Sequence, residues 1–111
     1  NLDGWNADET TNDHWSVGDN VLTTDGNGNP LENGHAFESY SLCIDYRCHG
    51  KDAKPYVMMN GKKRPLTTEH AGSFHRIHLQ HTPDAPNNGK IALGSEKGKV
   101  DFTNIFIHEA N

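Results

Sequence analysis

The sequence predicts an all-β fold, an antiparallel β-sandwich, and three observations lead to it. Turn clusters at Asp25-Gly26-Asn27-Gly28-Asn29-Pro30, Asn33-Gly34, Asn60-Gly61 and Pro83-Asp84-Ala85-Pro86-Asn87-Asn88-Gly89 cut the chain into short pieces. None of those pieces sustains a helical period. The segment Tyr40–Arg47 alternates: Tyr40, Leu42, Ile44 and Tyr46 share one face, and Ser41, Cys43, Asp45 and Arg47 share the other. A strand with one core side and one solvated side reads in this way.

Taken in order, strands are expected near Trp15–Val17, Val21–Thr24, Tyr40–Arg47, Tyr56–Met59, Phe74–Gln80, Lys90–Leu93 and Lys99–His108. With elements at the margin this makes about seven or eight, at the spacing of a sandwich. The last segment changes phase. Val100 and Phe102 share a face, whereas Ile105 and Ile107 have the opposite parity, which predicts a bulge or bend around Thr103-Asn104.

Length bounds the organisation: 111 residues make one domain spanning 1–111, without internal repeat or linker. Hydrophobic residues are 32% of the chain, beside 11 Gly and 5 Pro, so the core is thin and the connections are turns. A chain of this size buries roughly 60–65% of its unfolded surface, so self-association or a protein partner would add to its stability. Charge divides unevenly. Residues 1–50 carry nine acidic side chains and only Arg47 as a cation, while residues 51–111 carry nine basic and six acidic ones. That split favours head-to-tail contact between copies unless the fold interleaves the halves. A net charge of −5 without a basic stripe speaks against nucleic acid as the partner. No apolar run approaches the ~20 residues of a membrane span. The chain opens at Asn1 rather than Met, and a secreted, periplasmic or cell-surface location is expected. Cys43 and Cys48 would point to opposite faces of a continuous strand, so a bond between them requires the strand to end by about residue 46.

Four blocks resemble one family. Gly4-Trp5 with His14–Leu22, then Asp25–Leu31, then Tyr40–Arg47, are similar to the opening of 3-keto-disaccharide hydrolase domains, and Gly89–Glu109 is similar to their closing segment. The resemblance implies a concanavalin A-like jelly roll, shortened here, with two antiparallel sheets and a face that handles sugars. Several of the family's site positions differ. The Asn/Asp-Ser-Gly turn is replaced by Ala53-Lys54-Pro55, Met59 stands where an Arg is expected, and Gly94 and Glu96 stand where the family carries Gln and His. Members are longer, and their central strands after Leu66 are missing or reduced here. An exposed edge left by that loss is a candidate assembly surface.

Single residues add candidates. Asp45 and Arg47, two apart on the solvated face, point the same way; with His78 and Glu96 they form the candidate catalytic set, Asp45 and Glu96 as acid and base. Trp5 and Trp15 are candidate sugar-stacking rings, with core packing as the competing role. Asp25, Asn27 and Asn29 have the alternating oxygens that open an EF-hand loop and are candidate calcium ligands; Pro30 and Ala36 break the pattern. Among His70, His75, His78 and His81, strand parity sets His75 and His81 with Ile77 and Leu79 and turns His78 the other way, so no three converge on a metal. The expected function is a non-catalytic structural or binding module related to these hydrolase domains, within an oligomer or extracellular assembly. The alternatives are a hydrolase or lyase acting on 3-keto-glycosides, and a glycan-binding module.

Overall fold

A computed structural model describes residues 14–27, 30–33, 40–59, 62–81 and 90–109. The described residues form nine strands: β1 (Trp15–Gly18), β2 (Val21–Thr24), β3 (Leu31–Glu32), β4 (Tyr40–Cys48), β5 (Pro55–Met59), β6 (Lys62–Pro65), β7 (His75–His81), β8 (Ile91–Ser95) and β9 (Val100–Glu109). They make two antiparallel sheets, one in the order β1-β2-β9-β4-β7 and the other in the order β3-β8-β5-β6. The chain crosses between the sheets repeatedly, and the result is an all-β sandwich of the jelly-roll kind.

Alternation builds the core as the sequence foretold. From the five-stranded sheet, Leu22, Tyr40, Leu42, Ile44, Tyr46, Val100, Phe102 and Ile105 point inward; Leu31, Val57, Met59, Ile91 and Leu93 meet them from the other sheet. The expected bulge is present in β9. Cys43 faces Phe106 while Asp45 faces Thr103, so β9 carries one residue more than β4, and Asn104 takes a positive φ of 49°. That extra residue returns Ile105 to the core after Phe102.

Some sequence expectations change on folding. Trp15 is 5% exposed and stacks on Phe102 with ring centroids 6.1 Å apart, so its ring belongs to the core and offers no face for a sugar. Trp5 lies outside the described residues. Among the described residues the two halves of the chain interleave, because β9 lies between β2 and β4. Arg47 meets Asp101, Arg76 meets Asp45 and Lys90 approaches Glu32, each pair joining the two halves within one chain. Strands β3 and β6 were absent from the sequence reading. The Lys62–Pro65 strand is exposed at all four positions, as a sheet edge guarded by cations and Pro is, and so it carries no hydrophobic pattern. Met59 is buried, so the position expected to hold an Arg faces the core. Cys43 and Cys48 are free and on opposite faces, because β4 runs unbroken through both.

Two glycines meet where the loops after β2 and β8 touch. Gly26 has φ of 90°, and a Cβ there would overlap the backbone of Gly98, itself at φ of 81°. Both the dihedral and the approach exclude a side chain. Gly26→Ala is expected to destabilise the domain by about 2–4 kcal/mol; equilibrium denaturation with a loss under about 0.5 kcal/mol would show that the loops separate freely.

Candidate functional site on the outer face of the five-stranded sheet

Residues of β2, β9, β4 and β7 that point away from the core form an ordered polar face built on two carboxylates. Asp101 of β9 is 3% exposed. Its Oδ2 accepts from Arg47 Nε at 3.0 Å, Arg47 Nη2 at 2.7 Å and His49 Nε2 at 2.8 Å, and its Oδ1 accepts from Thr23 Oγ1 at 2.7 Å. For His49 to donate there, Nε2 carries a proton. Asp45 of β4 is clamped likewise. Its Oδ1 accepts from Arg76 Nε at 2.8 Å, and its Oδ2 accepts from Arg76 Nη2 at 3.1 Å and from Asn104 Nδ2 at 2.8 Å. The bulge that gives Asn104 its positive φ is thus what brings this amide to Asp45.

Electrostatics follow from those donors. The Arg76 guanidinium holds the Asp45 carboxyl below its usual 3.8, partly opposed by burial and reinforced by Asn104. Burial acts to raise Asp101, and hydrogen bonds from Thr23, Arg47 and His49 outweigh it, leaving that carboxyl lowered as well. Both groups are therefore fixed, ionised acceptors at neutral pH. A general acid needs the reverse, a carboxyl held protonated by its surroundings.

Aromatic and soft groups complete the face. Phe106 is 57% exposed, beside Cys43 on one neighbouring strand, and Cys43 in turn faces His78, with Sγ to Nε2 at 3.6 Å. Phe74, 42% exposed, lies against the guanidinium of Arg47 at 4.4 Å from ring centroid to Cζ. Such a contact orients both the ring and the cation.

The face gathers Asp45, Arg47 and His78 from the candidate catalytic set but not Glu96. That residue follows β8 and pairs with Lys63 of β6 at 3.4 Å, on the outer face of the other sheet, where Lys63 also covers the Tyr56 ring. Asp45 and Glu96 are therefore on opposite sides of the sandwich and cannot act as acid and base on one substrate. In the candidate calcium loop, Asp25 accepts from His14 Nδ1 at 2.9 Å and from the Asn27 N–H at 2.8 Å, a local turn; Asn29 lies outside the described residues. His70 and His75 stack at 4.2 Å, and no group of three or more His, Cys, Asp or Glu suited to a metal occurs among the described residues. Sequence reasoning missed Phe106, Asp101, Arg76 and Asn104. The parity shift at Thr103-Asn104 already implied that Phe106 turns outward once Ile105 and Ile107 turn in.

No family model matches the chain, and no curated protein matches it. Solved structures do. A CBM4 structure is similar with a TM-score of 0.60 at 8% identity, covering 86% of this chain and 75% of that one. A mutant of the family 29 carbohydrate-binding module CBM29-2, complexed with cellulohexaose, is similar with a TM-score of 0.58 at 14% identity, covering 95% and 75%. The CBM22-1 and GH10 modules of Clostridium thermocellum xylanase 10B, complexed with xylohexaose, give a TM-score of 0.52 at 8% identity, covering 82% of this chain and 22% of that one. At these identities the likeness establishes the shared sandwich fold.

The lowered carboxyls set a pH dependence with a definite sign. Stability contributed by Asp45 and Asp101 is complete above the ordinary value of 3.8 and is lost as pH falls through their lowered folded values. Thermal unfolding between about pH 7 and pH 2 is expected to show this loss, and the double variant Asp45→Asn, Asp101→Asn to flatten it. An unchanged acid limb in that variant would assign the effect to other groups.

Proposed function

We propose that this chain is a non-catalytic glycan-binding β-sandwich module and that the outer face of the five-stranded sheet is its binding surface. One observation carries the reading: an exposed ring, Phe106, stands in a sheet face whose polar groups are locked in place, with Asp45 and Asp101 each held by a guanidinium. Sugars present an apolar ring face and a fringe of hydroxyls. An open aromatic beside preorganised donors and acceptors complements both at small conformational cost. The depressed carboxyls fit binding better than proton transfer, and the fold is shared with modules solved with bound cellulohexaose and xylohexaose. Such a module fits an extracellular setting, and among the described residues no helix is long and apolar enough to cross a membrane.

Affinity electrophoresis through gels containing β-glucan, xylan, mannan, galactan or pectin tests the reading. Retardation by at least one is expected, reduced about fivefold to tenfold in affinity by Phe106→Ala with the melting temperature unchanged. Free migration in every gel would end it.

A second reading, hydrolysis or lysis of a 3-keto-glycoside, draws on the convergence of Asp45, Arg47 and His78 on one face. It requires Asp45 to serve as a base. Turnover of a 3-keto-disaccharide that disappears in Asp45→Asn would favour it, and absence of turnover in the native protein removes it.

A further inference from the structure

Phe106 and Phe74 mark the ends of one line across the face. Phe106 sits on β9 at the level of Cys43. Phe74 precedes β7, where the β4–β7 register extended one step past Tyr46 and His75 sets it at the level of Arg47. From Cys43 to Arg47 is four residues along β4, about 13 Å, and from β9 to β7 is two strand spacings, about 10 Å. The diagonal between the rings is then about 16 Å, and its midpoint falls on β4 at Asp45. There the carboxylate is bracketed by Asn104 from one neighbour and Arg76 from the other. The line therefore reads ring, polar clamp, ring. The clamp has capacity to spare, since a guanidinium has five N–H donors and Arg76 spends two on Asp45.

We propose that this diagonal is a binding track for about four consecutive units of a linear oligosaccharide, the first and last of them on Phe106 and Phe74 and the hydroxyls between on the Asp45, Arg76 and Asn104 clamp. The proposal rests on the glycan-binding reading and adds ligand length and direction: the chain runs obliquely across the strands, not along one. A ligand of two units reaches one ring only. Phe74 is then a length-determining residue. Its ring is already held by Arg47, so a sugar can dock on it with little ordering cost. The charges of Asp45 and Asp101 are matched by those of Arg76 and Arg47, so the track suits uncharged sugars.

The face contains its own reporter. Cys43 is free and partly exposed beside the track, whereas Cys48 is buried. Cello- and xylo-oligosaccharides from two to six units are titrated by calorimetry, and labelling of the native protein by an aromatic disulfide is followed with and without each sugar. Affinity is expected to rise up to about four units and then to change less than about twofold, with tetrasaccharides slowing Cys43 labelling. Phe74→Ala and Phe106→Ala are each expected to weaken hexasaccharide binding about fivefold to tenfold and to narrow the gap between hexasaccharide and disaccharide affinity. Both rings are exposed, so neither variant threatens folding. Disaccharides binding as tightly as hexasaccharides, a silent Phe74→Ala, or a bound polysaccharide with no oligosaccharide binding would each overturn the track and leave the glycan reading standing. Failure of every oligosaccharide and every polysaccharide gel would overturn both.

Discussion

The single extra residue in β9 is the constraint on which the face and the core both depend. A ten-residue strand with unbroken alternation would put Val100, Phe102, Asn104 and Phe106 on one side and Ile105 and Ile107 on the other. The core would then hold an amide and lose two isoleucines. Asn104 absorbs the mismatch by adopting a left-handed conformation, which its short polar side chain tolerates better than a branched one does. The same step that keeps Ile105 under Phe102 turns Phe106 out and delivers the Asn104 amide to Asp45. The packing of the core and the layout of the outer face are set by one backbone irregularity.

Buried carboxylates on an otherwise solvated face are costly unless every lone pair is used well. Asp101 meets that demand with donors from β2, β4 and the residue following β4, and Asp45 with donors from β7 and β9. Each clamp therefore ties together strands distant in sequence, and does so with charges drawn from opposite halves of the chain. Asp45–Arg76 joins an acid of the first half to a base of the second, and Arg47–Asp101 does the reverse.

Much of the architecture was legible in the sequence because it rests on period-two alternation. The Tyr40–Arg47 segment, the outward direction of Asp45, Arg47 and His78, and the phase change near Thr103 all follow from parity and survive in the structure. What parity lacks is the identity of the partner strand. Parity leaves Glu96 eligible beside Asp45, but β8 belongs to the other sheet; it leaves Trp15 eligible as a platform, but Phe102 stacks against its ring. The Lys62–Pro65 strand pairs with β5 at the sheet edge, and no alternation of apolar residues announces it. Partners of Asp45 and Asp101 were hidden for the same reason: Arg76 is 31 positions from Asp45, and Arg47 is 54 from Asp101.

The choice between chemistry and binding turns on what a clamped carboxylate can do. An acid–base catalyst has to exchange a proton within each turnover, so its surroundings must leave both protonation states within reach. A guanidinium that donates two hydrogen bonds to a carboxylate does the opposite, since it favours the anion and its bonds weaken if the anion is neutralised. Asp45 and Asp101 are each in that situation, and the remaining candidate acid is on the far side of the sandwich. For a binding surface the same arrangement is an advantage. Acceptors and donors that cannot relax keep their directions when the ligand arrives, and the energy of holding them is met in folding instead of at each encounter. The polar clamps of this face have the properties of a rigid template, and the exposed phenylalanines at its two ends give that template apolar surface on which a ring can rest.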